Sequence, residues 1–396
     1  MHRGFLECLM ISLKLGLVSF GGPVAHLGYF RDTYVVQLKW LTEERYAELL
    51  SLTQFLPGPG SSQLGAAIGY ERGGWGGALG AWLGFTLPSA LLMILFAIGM
   101  GSIQSWFGTG WLHGLKLVAV AVVAVALLGM RQKLCPRLPE MLLATIALVA
   151  LVIIPQAWIQ PVVILLGGVA GILMFGKQIA REEEGMSQPK QIAGKRPWWA
   201  SVAPAVLCLA LLMAIPAFFP ESEDAAGAGG LLHAGALVFG GGHVVLPLLE
   251  TSTVDTGLVS GDAFLAGYGA AQAVPGPMFT FGGFLGASME LLGNAWAGGA
   301  VGIVAIFLPG MVLLAGALPV WNRLKHFPWA RAGVRGSNAA VVGVLGAALL
   351  GMLTSGSVAG LMDAAAILIL ALAVYFKWLP VWAIVIVAAV GGGLMA

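Results

Sequence analysis

Nine apolar segments, each close to the length that crosses a lipid bilayer, dominate this sequence of 396 residues. A membrane-spanning helix needs about 20 consecutive apolar residues. Only 10% of the residues are charged, whereas soluble globular proteins carry about a quarter. The chain is therefore predicted to be an all-α polytopic membrane protein. The predicted spans are residues 76–100, 111–130, 138–156, 158–176, 198–219, 294–320, 333–353, 358–376 and 378–396.

The basic residues between these spans predict which side of the membrane each loop faces. Lys and Arg cluster in the loops 131–137, 177–196 and 323–335, and neither occurs from Pro197 to Asn322. Loops rich in Lys and Arg remain in the cytoplasm. With these three loops inside, the spans alternate without conflict. The N-terminus is then predicted to be cytoplasmic and the C-terminus external.

Four sequence blocks recur in the second half of the chain at a nearly constant offset. The offsets are 219, 218, 218 and 221 residues, and this regularity across separate blocks indicates an internal repeat. The matched blocks are Phe20-Gly-Gly-Pro23 with Phe239-Gly-Gly-Gly242, Trp40-Leu-Thr42 with Leu258-Val-Ser260, Gln54-Phe-Leu-Pro57-Gly58-Pro59 with Gln272-Ala-Val-Pro275-Gly276-Pro277, and Phe85-Thr-Leu-Pro88 with Ile306-Phe-Leu-Pro309.

Charge predicts opposite orientations for the two copies. The loops around the blocks are basic in the first half and acidic in the second, and the span 198–219 has no partner in the first half. Inverted-topology repeats interrupted by Gly and Pro are typical of secondary transporters. We therefore predict two inverted-topology repeats with re-entrant or broken helices. The predicted parts are a first repeat at 1–176, a cytoplasmic linker at 177–197, a linking transmembrane helix at 198–219 and a second, inverted repeat at 220–396.

The glycine- and proline-rich blocks predict hairpins that enter the membrane and return to the same side. Backbone N–H groups freed at such tips, together with helix N-termini, can hold an anion without a formal charge. In the alternative interpretation each Pro-Gly-Pro is a packed kink, and Ser61 and Ser62 are N-cap residues. Two symmetric copies favour the binding site. Its candidate residues are Lys14, Gly21, Gly22, His26, Gln54, Gly58, Gly60, Ser61, Ser62, Gln63, Gly241, Gly242, His243, Gln272, Gly276 and Thr280.

The charged candidates have competing interpretations. Lys14 interrupts an apolar run, and a lysine at membrane depth is costly. We predict that it faces a water-filled cavity and attracts the anion, the alternative being a side chain that snorkels to the surface. His233 occupies the position equivalent to Lys14, and it is either a proton-coupling residue or a satisfied core histidine. Arg31, Arg45 and Arg72 either form a cytoplasmic mouth or simply determine topology.

Several long blocks resemble the chromate ion transporter family. They are SFGGPVAH (Ser19–His26), QFLPGPGSSQLGAAIGY (Gln54–Tyr70), GFTLPSA (Gly84–Ala90), FGGGHVVLPLL (Phe239–Leu249) and AQAVPGP (Ala271–Pro277). The resemblance extends across both halves and is to the long, two-domain type. It implies a multi-pass protein of the bacterial inner membrane that exports chromate from the cytoplasm and confers chromate resistance. Some relatives are associated with sulfate.

Three transport functions fit the sequence. The first is export of chromate by alternating access, the second is transport of sulfate or another oxyanion, and the third is a passive anion channel. No Walker A motif occurs, so transport would draw on an ion gradient, the membrane potential or exchange. An enzyme is not expected, because His26 and Asp32 have H-x5-D spacing and no GxSxG or HExxH motif occurs. We expect no cofactor, no metal and no nucleic-acid partner, and we predict a homodimer in the lipid bilayer.

Overall fold

The computed structural model describes residues 2–154, 159–184, 199–218, 222–238, 245–321, 327–354 and 360–395. Within these ranges the chain is helical and contains no β-strand. A π-helical turn, Arg31–Gln37, continues α2, and a 3-10 turn, Met278–Thr280, precedes α12. The helices are α1 (His2–Val18), α2 (Gly22–Phe30), α3 (Glu43–Phe55), α4 (Gly60–Phe107), α5 (Gly110–Leu134), α6 (Leu138–Ile153), α7 (Ile159–Glu184), α8 (Trp199–Phe218), α9 (Glu223–Leu237), α10 (Val245–Thr253), α11 (Gly261–Ala271), α12 (Phe281–Ser288), α13 (Ala295–Ala317), α14 (Pro328–Thr354), α15 (Leu361–Tyr375) and α16 (Val381–Met395).

Each predicted span coincides with one of these helices, which confirms the all-α polytopic fold. The first span is the part of α4 that follows a break at Gly74, and the others are α5 to α8 and α13 to α16. By length and composition, five helical stretches in the described residues are apolar enough to cross a membrane. They are Gly60–Trp106, Gly110–Leu134, Ile159–Ala180, Ala295–Val320 and Pro328–Thr354.

α4 consists of two helical arms joined by a sharp turn. Gly73 and Gly74 have non-helical backbone angles. The arms approach so closely that a Cβ added to Gly69 would lie 2.3 Å from the carbonyl oxygen of Gly77. In a straight helix these two residues would be about 12 Å apart, so the chain reverses at the turn. Before this turn, α3 packs against α4, with Pro57-Gly58-Pro59 between the two helices.

The second repeat builds the same turn from two separate helices. A Cβ on Gly286 of α12 would lie 2.2 Å from the carbonyl oxygen of Gly298 of α13. The first helix of each repeat also packs in the same way. A Cβ on Gly16 would lie 2.7 Å from the carbonyl oxygen of Phe85, and one on Gly235 would lie 2.1 Å from that of Ile306. The internal repeat is therefore a structural repeat.

The second arm of α4 and its equivalent, α13, run antiparallel. Trp82 packs against Phe307 with ring centroids 5.8 Å apart. Farther along α4, Ile94 lies against Gly299, so the residue number rises on one helix as it falls on the other. Because the two helices are the same element of their repeats, this confirms the predicted inversion.

α5 and its equivalent in the second repeat, α14, each pack against the last two helices of the other repeat. α5 contacts α15 and α16, whereas α14 contacts α6 and α7. Glycine makes these contacts close: a Cβ on Gly114 would lie 1.9 Å from the carbonyl oxygen of Ala388, and one on Gly336 would lie 2.1 Å from that of Gly167. The two sequence repeats are thus interlocked in the fold.

Candidate functional site

Each Pro-Gly-Pro tip reaches across to the other repeat. The backbone N–H of Gly58 donates to the carbonyl oxygen of Val238 at 2.7 Å, and that of Gly276 donates to the carbonyl oxygen of Ser19 at 2.9 Å. Gly58 is equivalent to Gly276, and Ser19 to Val238, at offsets of 218 and 219 residues. The tips therefore exchange reciprocal hydrogen bonds. These two N–H groups are bonded to protein carbonyls and are not free to donate to an anion.

Glycine is required at both tips. Gly58 and Gly276 have φ values of 122° and 99°, which side chains other than hydrogen adopt only with strain. A Cβ on Gly58 would lie 2.9 Å from the Cα of Gly310, and one on Gly276 would lie 2.8 Å from the Oγ of Ser89. Gly310 and Ser89 each follow the proline inside α13 and α4. Each tip therefore packs beside the proline of the other repeat's long helix.

His26 links the glycine break of the first repeat to the start of α4. The side chain is fully buried. Its Nε2 lies 3.2 Å from the carbonyl oxygen of Ser19, and its Nδ1 lies 3.3 Å from the Oγ of Ser61. Because a carbonyl oxygen only accepts, Nε2 donates to Ser19. Both nitrogens of His26 are therefore hydrogen-bonded.

Gln63 joins the tip of the first repeat to α13 of the second. Its Nε2 donates to the carbonyl oxygens of Pro57 at 3.0 Å and of Gly310 at 2.9 Å. The side chain is fully buried, and its Oε1 has no hydrogen-bond partner in the described residues. One end of the amide thus holds the two repeats together, and the other end is an unused acceptor.

Three buried hydroxyls of the first repeat also lack partners in the described part of the chain. They are the Oγ atoms of Ser19 and Ser62 and the Oγ1 of Thr86. Their residues are 0%, 1% and 3% exposed. An unsatisfied buried polar group costs about 1–3 kcal/mol, so native structures rarely keep several on the same elements. These hydroxyls can donate hydrogen bonds to a ligand.

The second repeat has lost this polar character at equivalent positions. Ser19, His26, Gln63 and Thr86 correspond to Val238, Val245, Phe281 and Phe307. Ser62 corresponds to Thr280, whose hydroxyl donates to the carbonyl oxygen of Pro277 at 2.9 Å and is therefore satisfied. In the described residues, the unpartnered hydroxyls beside the crossed tips belong to the first repeat. We call Ser19, Ser62, Gln63 and Thr86 the polar set.

The other predicted binding residues lie in varied surroundings. Lys14 is exposed on α1, on a face that also exposes Met10 and Leu17, and His233 is exposed on α9. Gly21 and Gly22 form the left-handed turn before α2, and Gly60 begins α4. Gln54 is exposed, whereas Gln272 is half-buried and donates to the Sδ of Met278 at 3.1 Å. Gly241, Gly242 and His243 lie outside the described residues.

The three arginines predicted at the mouth are held in ion pairs. The Nη2 of Arg31 lies 2.5 Å from Glu43, that of Arg45 lies 2.5 Å from Glu71, and that of Arg72 lies 2.8 Å from Glu7. The hydrogen bond to Glu43 raises the pKa of Arg31 above its usual value. These pairs tie α1, α2, α3 and α4 together at one end of the first repeat.

Sequence reasoning did not select Ser19, Thr86 or Ser89 as site residues. Thr86 lies inside a repeated block, and Ser19 and Ser89 each directly flank one, but the prediction followed the tip residues themselves. A comparison of each block with its copy would have found Ser19 and Thr86, since both are polar in one repeat and apolar in the other. In the described residues no group of three or more His, Cys, Asp or Glu could hold a metal ion.

The chain is similar to known transport proteins over most of its length. A family model described as "Chromate transporter" matches residues 6–172 and 228–393. A "Probable chromate transport protein" of Synechococcus elongatus is 28% identical over 96% of this chain and 93% of its own length. "Chromate transport protein" sequences of Cupriavidus metallidurans and Pseudomonas aeruginosa are each 27% identical, over 87% and 97% of this chain and 81% and 90% of their own lengths.

No solved structure matches the chain. The family model matches twice, once in each structural repeat, and together the matches cover most of the sequence. The chain therefore belongs to the chromate transporter family.

Proposed function

We propose that this protein exports chromate from the cytoplasm across the plasma membrane and so confers chromate resistance. The observation that carries the proposal is the three unpartnered hydroxyls of the polar set beside the crossed tips. Chromate is a tetrahedral oxyanion that accepts several hydrogen bonds at once. The hydroxyls of Ser19, Ser62 and Thr86 are buried donors without partners in the described part of the chain, and an anion that accepts from them offsets the cost of burying them.

Alternating access is the mechanism that this architecture supports best. Inverted repeats place a site near the middle of the membrane, where rocking of one part against the other exposes it to each side in turn. The crossed tips are shared by both repeats, since each donates its glycine N–H to the other. By the positive-inside rule, the end that carries Arg31, Arg45 and Arg72 faces the cytoplasm. The N-terminus is then cytoplasmic and the C-terminus external.

Transport into inverted membrane vesicles tests the proposal. Chromate should accumulate against its gradient in vesicles that contain the wild-type protein. The double variant Ser62→Ala with Thr86→Val should abolish accumulation, because it removes two donors. Thr280→Ala is the matched control, since its hydroxyl is the second-repeat equivalent and already has a partner. If the double variant transports like the wild type, the proposed site is wrong.

The same vesicles separate the other transport functions. Downhill chromate flux that an ionophore does not change would identify a passive channel. Sulfate uptake that chromate inhibits only weakly would identify a sulfate transporter. The homodimer remains a prediction, which the mass of the purified protein checks.

Labelling of an introduced cysteine tests the proposed orientation. Asp255 lies in the loop between α10 and α11, within the stretch from Pro197 to Asn322 that contains no Lys or Arg. Asp255→Cys should react with an impermeant thiol reagent added outside the cell. Labelling only from the cytoplasmic side would show that the topology is the opposite of the one proposed.

A further inference from the structure

The equivalent helices α5 and α14 are held by equivalent contacts. Both contain the pentapeptide ALLGM, at Ala126–Met130 and Ala348–Met352. This match sets an offset of 222 residues, at which His113 corresponds to Arg335. The Nε2 of His113 lies 2.8 Å from Asp363 at the start of α15, and the Nε of Arg335 donates to Glu140 at 2.8 Å at the start of α6. α5 and α14 are thus each joined to the other repeat by an equivalent polar contact.

α5 also packs against α11. The Nζ of Lys116 lies 2.5 Å from the Oδ1 of Asp262, at the first turn of α11. Farther along, a Cβ on Gly269 would lie 2.6 Å from the carbonyl oxygen of Leu115. Leu265, on the same helix, is only 5% exposed. α5 therefore covers the face of α11 that carries Leu265 and Gly269.

The equivalent face of α3 is uncovered. Ala47 and Ser51 correspond to Leu265 and Gly269 at the offset of 218 residues, and both are exposed where their equivalents are buried. In the described residues α3 packs mainly against α4 and the turn Arg31–Gln37. The contact that α5 makes with α11 therefore has no counterpart of similar extent between α14 and α3 in the described chain.

The uncovered face is polar and so borders water. Glu44, Ser51 and Gln54 are exposed along it, and lipid does not solvate such groups. On α14, Asn338 is the equivalent of Lys116, and Glu44 is the equivalent of Asp262. The Oδ1 of Asn338 is buried and has no hydrogen-bond partner in the described residues, so this polar group is available to the contact that the repeat symmetry predicts.

We infer that the structure is an inward-facing state of the transport cycle in which the binding hydroxyls stay buried, with Lys116 and Asp262 as the closed external gate. In the alternate state the repeats exchange conformations: α5 leaves α11, and α14 closes on α3 with Asn338 beside Glu44. The exposed face of α3 is then covered on the cytoplasmic side. This inference rests on the proposed alternating access, and it adds the gates and the state.

Thiol labelling measures the asymmetry between the two gates. Ala47→Cys and Leu265→Cys are equivalent positions, introduced separately into a chain whose three native cysteines, Cys8, Cys135 and Cys208, are replaced. In lipid nanodiscs both faces are accessible to an impermeant maleimide. Ala47→Cys should react about tenfold faster or more, because the state that exposes residue 265 is a minor one of about 10% or less. Equal labelling rates would overturn the inference.

Cross-linking tests the predicted contact of the alternate state. A short bifunctional thiol reagent should join the pair Lys116→Cys and Asp262→Cys rapidly. It should join Asn338→Cys and Glu44→Cys about tenfold more slowly, through the minor state. Either cross-link should stop transport until it is reduced. The control pair is His113→Cys with Asp363→Cys, which should cross-link and still transport because these helices move together.

The outcomes separate the inference from the proposed function. Labelling and cross-linking rates need no chromate, so they report on the gates even if the protein carries another anion. Failure of the wild type to move chromate would overturn the proposed function alone. Equally fast cross-linking of both gate pairs, or unimpaired transport after locking either one, would overturn the gate assignment.

Discussion

The two repeats share a backbone but differ in the side chains that line it. Both end their first helix at a carbonyl that accepts the glycine N–H of the opposite tip, at Ser19 and at Val238. At the same place the first repeat presents Gln63 and Thr86, whereas the second presents Phe281 and Phe307. The repeats share a symmetric scaffold, and in the described residues the unpartnered polar groups beside the tips, on which the proposed site depends, belong to the first repeat.

This difference shows how such a fold can bind one anion at a pseudo-symmetric junction. A symmetric pair of sites would place two dianions close together, where they repel. An apolar second repeat excludes water and strengthens the hydrogen bonds that the first repeat donates. The scaffold and the site are therefore separable, and variants at equivalent positions should affect them differently.

Substitution of the tip glycines should have the largest effect, because it damages the shared scaffold. Gly58→Ala introduces a side chain at φ 122° and places its Cβ 2.9 Å from the Cα of Gly310. Strain of this kind costs about 1–3 kcal/mol, and the clash with backbone adds to it. We expect loss of monodisperse protein on size-exclusion chromatography in detergent.

Gly276→Ala sharpens this prediction. Its nearest contact is the Oγ of Ser89 at 2.8 Å, a short side chain that can rotate. The variant should be folded but less thermally stable than the wild type, and milder than Gly58→Ala. A larger loss of stability for Gly276→Ala than for Gly58→Ala would contradict the contact geometry.

Loss of His26 should have an intermediate effect that is confined to the first repeat. His26→Ala leaves the buried Ser61 hydroxyl without its histidine partner, at a cost of about 1–3 kcal/mol, and removes one of the two hydrogen bonds that the Ser19 carbonyl accepts. Val245→Ala at the equivalent position removes only apolar contact, worth about 0.8 kcal/mol per buried methylene. Thermal unfolding in detergent should show the larger decrease for His26→Ala. Equal decreases would mean that the two hydrogen bonds contribute nothing.

Removal of the ion pairs made by Arg31, Arg45 and Arg72 should have the smallest effect on stability. The side chains of Arg72 and Glu7 are 44% and 39% exposed, and exposed ion pairs contribute about 0–1 kcal/mol. A double-mutant cycle with Arg72→Gln and Glu7→Gln should give a coupling energy below about 1 kcal/mol. Chromate transport should persist in the double variant. Its loss would give these residues a role in the mouth instead.

The helices and the inversion of the repeats could be predicted from the sequence. Span length and loop charge can be read directly from the sequence. The first predicted span, 76–100, coincides with the second arm of α4. The constant offset that relates Gly58 to Gly276 is visible in the order of residues alone. These features depend on composition over many residues, which a single sequence records.

The contacts between the repeats could not be predicted in the same way. The hydrogen bonds of Gly58 and Gly276 join backbone atoms, which carry no side-chain signature. Hydropathy alone also does not indicate which face of a helix is exposed. Lys14 is predicted to face a water-filled cavity, and its position in an apolar run does not reveal that it shares an exposed face with Met10 and Leu17.

A cryo-electron microscopy map of the protein with bound chromate tests the central claim most directly. We predict density for the oxyanion beside the crossed tips, within hydrogen-bond distance of the hydroxyls of Ser62 and Thr86. The equivalent side of the second repeat, at Phe281 and Phe307, should carry none. Density centred on Lys14, or distributed equally between the two repeats, would contradict a site built by the first repeat alone.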